Sequence, residues 1–310
     1  QRERILSWLR PAEYSEAAYQ QQNSIIAIGS GQLYGKGLNN NAVNSVRIIA
    51  EAENGAAQSI GLYYDDGIYY VFLPSYADLN RLRVTYNGDQ LLLAGKRYRS
   101  NSVLEDVAVG REYPFAIKNV IGASVSETLI FLKSERVPSL FVTLTKGDLH
   151  DINMNKEAYG SGDVSLINED QTVNYAGLLK KIRGRGNTTW TEAKKPYTLL
   201  FSQPVDLLGM GAGRSWVLLS NSYDESGLRN KLAYDFAKEL GVEYAVDSAY
   251  VDLYLNGTYN GLYLLSERVE VGTNRVEIRD LAESTQRLNY RSLDGYEPCE
   301  ENDGDKLRKG

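Results

Sequence analysis

Leu178-Leu179-Lys180-Lys181-Ile182-Arg183, then Gly184-Arg185-Gly186-Asn187, then Lys194-Lys195-Pro196, then Tyr197-Thr198-Leu199-Leu200-Phe201: the reading of the chain turns on this stretch. Leu178 to Arg183 and Tyr197 to Phe201 read as short apolar strands, and the glycine-rich segment ends the first of them. Glycines flank Arg183 and Arg185, so backbone can approach a ligand closely there while the guanidinium groups fork onto phosphate oxygens. Lys194 and Lys195 open the next strand. Alternation sends them to opposite faces, so at most one should reach a phosphate; Lys195 lies nearer the strand proper. A plainer reading stands beside this one, because a Gly-Arg-Gly-Asn segment can be only a tight turn and lysine pairs are mostly solvated.

Downstream, Trp216 to Leu219 is a further strand. Leu228 to Leu240 is the clearest helix, with Leu228, Leu232, Phe236 and Leu240 recurring at one-turn spacing. Asp224 or Ser226 can cap its start and Gly241 its end. Tyr250 to Leu255, Asn256-Gly257 and Tyr259 to Leu265 form a hairpin pattern. Upstream, Leu140 to Leu144 is a strand, and the polar stretch that follows, up to Asn174, reads as a long insertion loop. After Glu270 the pattern weakens, and residues 297–310 read as a polar tail.

The first part of the chain differs. Residues 1–43 read as an arm and linker, with short helices at Ile5 to Leu9 and Glu13 to Gln22 and a Gly- and Asn-rich run over 29–42. Residues 44–136 read as β-rich. Ser59 to Tyr64, Asp65-Asp66-Gly67 and Ile68 to Leu73 make a hairpin signature. Arg81 to Tyr86, Gln90 to Ala94 and Thr128 to Leu132 are further strands. Short strands parted by Gly and Asn turns suggest a β-sandwich of immunoglobulin-like type, and the 23 tyrosines suit sheet faces. The fold class expected is α+β: this sandwich, then residues 137–296 as an antiparallel lobe with one main helix.

A net charge of -6 gives no support to nucleic-acid binding. One cysteine, Cys299, rules out an intrachain disulfide and a cysteine-built metal site. His150 is the one histidine, and its surroundings carry no nucleophile signature. No apolar run reaches the roughly 20 residues that a spanning helix needs. The chain starts with Gln1 and shows no signal peptide.

Four segments, in this order and spacing, resemble the CotH family, atypical protein kinases named for spore coat protein H. They are Ile182 to Trp190; Lys194-Lys195-Pro196-Tyr197; Trp216-Val217-Leu218-Leu219-Ser220-Asn221 running on to Asn230; and Leu255-Asn256-Gly257 with Gly261 to Glu267. The resemblance implies a kinase-like N-lobe over residues 137–296. It implies use of ATP with Mg or Mn, and transfer of phosphate to Ser on coat or surface proteins at the cell envelope or outside the cell. Phosphate or nucleotide contacts are then expected from Arg183, Arg185, Lys194, Lys195, Arg229 and Glu267. For Arg229, in the first helical turn, a phosphate, Asp224 or Glu225 could each be the partner. Glu267 could meet a ribose or a lysine, or cap a turn. Family members carry a later Trp-Asp-x-Asp segment with metal-binding and catalytic aspartates. None of Trp8, Trp190 and Trp216 is followed by Asp, so no catalytic residue is identified and the chain alone is expected to be inactive. The rival expectation is a non-enzymatic coat or surface assembly protein on the same fold.

Overall fold

The computed structural model describes residues 43–52, 55–118, 124–272 and 274–278. The helices expected over 5–9 and 13–22, the linker over 29–42 and the tail over 297–310 lie outside them. The chain divides into two compact units, residues 1–268 and 269–310. Described residues of the second include an isolated bridge between Val271 and Val276. All that follows concerns the first unit, which is mostly β-strand.

Its first part contains β1 (Arg47–Glu51), β2 (Ala57–Gly61), β3 (Tyr63–Asp65), β4 (Ile68–Leu73), β5 (Arg83–Thr85), β6 (Gln90–Leu93), β7 (Lys96–Tyr98), β8 (Ser102–Val103), β9 (Glu112–Lys118) and β10 (Ser124–Lys133). They form a sheet in the order β2-β1-β5-β8 and a second in the order β3-β4-β10-β9-β6-β7. Alternation explains the packing. Tyr69, Val71 and Leu73 turn inward from β4, and Ile48 and Ala50 from β1, so both sheets contribute to one core. Asp66 and Gly67 both take positive φ, 43° and 85°, and pair β3 with β4 across a two-residue turn. The expected strand over 59–64 is in fact two: β2 pairs with β1 in one sheet and β3 pairs with β4 in the other.

The second part is a closed barrel of β11 (Ser139–Lys146), β12 (Tyr159–Ile167), β13 (Val173–Gly184), β14 (Tyr197–Val205), β15 (Gly213–Leu219), β16 (Ser248–Leu255) and β17 (Thr258–Glu267). Neighbours pair antiparallel except β11 and β16, whose parallel contact closes it. Leu140, Val164, Ile182, Leu199, Trp216, Leu253 and Leu265 belong to its core.

The polar stretch expected as an insertion loop instead holds α1 (Leu149–Met154) and β12. Glycine concealed that strand. Its inward positions begin Gly160, Gly162, and a Cβ at Gly162 would collide with the Thr143 carbonyl of β11, so an apolar residue is excluded where alternation would have called for one.

The main helix, α2 (Arg229–Glu239), ends at Gly241, whose φ of 69° suits glycine at a helix terminus. Its apolar stripe does not enter the core. Leu232 is 62% and Phe236 61% exposed, Leu228 and Leu240 are exposed too, and no residue of α2 is fully buried.

The two parts join along a seam. Gly61 donates its N–H to the Gly257 carbonyl (2.8 Å), the Tyr254 hydroxyl donates to the Phe72 carbonyl (3.0 Å), and the Phe72 and Tyr259 rings stack 4.6 Å apart. Phe141, Ile167 and Tyr254 of the barrel belong to the same core as the N-terminal sheets.

A candidate anion-binding cleft

The site is built where β13 runs out. Gly184 is buried beneath Trp190, which sits in the short 3-10 turn Thr188–Thr191; a Cβ on Gly184 would drive into the indole. The Arg185 N–H donates to the Pro196 carbonyl (3.1 Å), tying the arginine-glycine segment to the start of β14. Register sets Arg183 between Thr198 of β14 and Tyr159 of β12. Backbone pairing therefore fixes both arginines before any ligand arrives.

Around them lies a cleft of about 210 Å³ lined by Lys156, Glu157, Arg183, Arg185 and Arg268, among others. A neighbouring cleft of about 240 Å³ shares Arg185 and is lined by the polar run Ser220 to Asp224 with Arg229 and Asn230. Arg185 is the hinge between the two. Burial pushes its guanidinium below the ordinary arginine value; the Tyr234 side chain on α2 opposes that shift, and the charge of Arg268 adds to it. Among the described residues, neither Arg183, Arg185 nor Arg268 forms an ion pair with a carboxylate. Lys156 is held by the Asn187 side-chain oxygen at 3.1 Å. Several cations around glycine backbone, three of them without a counter-ion, favour an anion with several oxygens over a neutral ligand.

The other residues singled out from the sequence are placed differently. Lys195 donates to the Trp190 carbonyl (2.8 Å) and lies 5.0 Å from the indole ring centre, so it braces the turn over Gly184. Lys194 goes to the opposite face, as alternation requires. There it bonds the Leu262 carbonyl and stands over the Tyr263 ring at 4.6 Å, and burial lowers its pKa. Arg229 lines the second cleft, with Asp224 as its partner at 3.7 Å. Asp224 also accepts the Arg229 backbone N–H (2.8 Å), the first of α2, although the N-cap position itself is Leu228, so neither Asp224 nor Ser226 is the N-cap residue expected from the sequence. Glu267 accepts the backbone N–H of Asp247 at 2.8 Å and so closes a turn. Arg183 and Arg185 are thus brought together, and Arg229 stands nearby, while Lys194, Lys195 and Glu267 are engaged in backbone contacts.

Two members of the cleft were not read from the sequence. Arg268 directly follows Glu267 at the end of β17, and Lys156 lies in the stretch expected to be a loop. A cation right after a long apolar strand was the available signal for Arg268.

Among the described residues no three His, Cys, Asp or Glu side chains converge in a way that could hold a metal ion. The charged residues lining the first cleft are four cations and a single carboxylate, Glu157, so these residues do not fit a divalent metal.

Residues 182–304 match the family described as CotH kinase protein. No curated protein matches the chain.

Proposed function

We propose, from the match of residues 182–304 to the CotH kinase family, that the chain forms the nucleotide-binding part of a CotH-type atypical protein kinase. In this reading the polyphosphate of ATP lies in the cleft between Arg183, Arg185, Lys156 and Arg268, and Arg229 faces it from the second cleft. Lys195 acts through Trp190 and Lys194 through β17; neither touches phosphate. Phosphate would pass to Ser on a coat or surface protein at the cell envelope or outside the cell. Mg or Mn would be held by carboxylates other than those of the cleft. Residues 137–296 serve as the kinase-like region, and residues 44–136 as an immunoglobulin-like module before it.

One observation carries the proposal: three guanidinium groups that have no ion-pair partner among the described residues line one cleft at a glycine-containing turn whose backbone is already fixed. Phosphoryl transfer relies on such cations to hold and neutralise the phosphates. The test is displacement of a fluorescent ATP analogue from the full chain. Arg183→Ala and Arg185→Ala should each weaken binding roughly tenfold or more, on the order of 1.4 kcal/mol. Lys195→Ala should weaken it less, by loosening Trp190. Unchanged affinity in both arginine variants would refute the assignment.

A second reading, a coat or surface assembly protein on the same fold, draws on the exposed Leu232 and Phe236 of α2. Under it, Leu232→Glu with Phe236→Glu abolishes incorporation into the coat, while Arg185→Ala leaves incorporation intact.

A further inference from the structure

One stretch of the barrel wall is paired on one side only. β13 keeps β12 as its neighbour from Val173 to Arg183, yet it pairs with β14 only from Lys181 to Gly184. Two irregularities part the strands. Lys180 and Lys181 of β13 stand opposite Ser161 alone, a bulge that bends the strand where its pairing with β14 stops. Between Leu200 and Val205, β14 departs from its own register as well, and Ser202, Gln203 and Pro204 are exposed. Pro204 has no N–H to offer. The loop after β14 covers the edge as far as Asn174, whose side chain accepts the Leu208 N–H at 3.1 Å. From Ala176 to Lys180 no backbone partner lies on the β14 side among the described residues. A strand turns alternate N–H and C=O groups to each of its edges, so this short edge presents unmet donors and acceptors. Ala176, Leu178 and Lys180 are exposed on one face of it, Leu178 at 73%.

We propose that residues 176–180 of β13 receive an extended, acidic peptide segment as an added strand, and that a serine-bearing protein substrate docks in this way. The second clause rests on the kinase reading above; the first rests on the edge alone. An unpaired edge recognises main chain in extended form, and the side chains beside it set the preference. Leu178 offers an apolar contact. Lys180 forms no ion pair among the described residues, and Arg183 follows on the same strand, so the edge favours carboxylates in the incoming segment. Lys181 is engaged with the Tyr159 ring, 4.2 Å away. The acids nearby, Asp163 across from Leu178 on β12 and Glu157 in the cleft, are outnumbered by Lys180, Lys181, Arg183 and Arg185. A second copy of the chain is a poor occupant, because it would bring its own Lys180, Lys181 and Arg183 against the same short edge. Position connects the edge with the cleft. Leu178 and Arg183 lie on one strand, about 16 Å apart at ~3.3 Å per residue. A single short segment can therefore pair with the edge and hold a serine at the anion cleft.

The probe is a fluorescein-labelled peptide of alternating Val and Glu with a central Ser, titrated into the full chain and followed by anisotropy. Two twin peptides carry N-methyl groups on one or the other alternate set of amides. Both keep the parent's side chains, but one of them cannot donate to the edge. The parent should bind, and one twin should bind roughly tenfold more weakly than the other, as the loss of two or three backbone hydrogen bonds requires. Hydrogen exchange of the bound chain should slow at amides within 176–180. Lys180→Glu changes a solvated side chain; it should leave the thermal melt in place and weaken the parent peptide roughly threefold. No binding of the parent, equal binding of both twins, or slowed exchange only outside 176–180 overturns the proposal, and unchanged affinity in Lys180→Glu overturns its acidic preference. The same samples are titrated with the fluorescent ATP analogue. Peptide binding without nucleotide binding supports the docking edge and removes the kinase reading. Nucleotide binding without peptide binding overturns the docking edge and leaves the kinase reading standing.

Discussion

Gly184 and Trp190 show what single residues contribute here. The glycine is not chosen for its φ; it is chosen for the space under an indole. Gly184→Ala should displace Trp190 and, through it, Lys195, costing about 1–3 kcal/mol as an overpacked site does. Chemical denaturation measures the loss, and quenching of Trp190 should rise with it. A variant as stable as wild type, with an unaltered tryptophan signal, would mean that the indole is not seated there. The arginines obey a different logic, since their positions come from register and their charge is left uncompensated. Glycine beside arginine could be read from the sequence. The occupation of Lys194 and Lys195 could not, because both acceptors, Leu262 and Trp190, are backbone carbonyls brought near by the fold.

At the scale of elements, strands with clear alternation and turn residues were legible. The β3–β4 and β16–β17 hairpins follow their Asp-Gly and Asn-Gly turns, and α2 ends at Gly241 as its sequence indicates. β12 was not legible, because glycines take two of its inward positions where β11 approaches closely. The direction of α2 was not legible either. Its stripe is a valid helical period, yet the face turned to the barrel is not the apolar one. Leu232→Ser should therefore change stability by no more than about 0.5 kcal/mol, whereas Leu199→Ala in the barrel core should cost about 2–5 kcal/mol. Urea midpoints of the two variants check this. A loss at Leu232 comparable with that at Leu199 would show the stripe to be buried.

For the first unit as a whole, two sheets and a closed barrel share a seam of aromatic stacking and backbone hydrogen bonds, and the cleft lined by Arg183, Arg185 and Arg268 opens at the ends of β13 and β17. Closure of the barrel depends on the parallel β11–β16 contact, a pairing that local pattern does not announce. The central claim is that the cleft at Arg183, Arg185 and Arg268 receives a polyphosphate. The most direct measurement is arginine-selective modification of the full chain, with and without ATP, mapped by mass spectrometry. Protection by ATP is predicted at Arg183, Arg185 and Arg268, with Arg97 and Arg214 reacting equally in both samples. Equal reactivity at all five with saturating ATP present would contradict it.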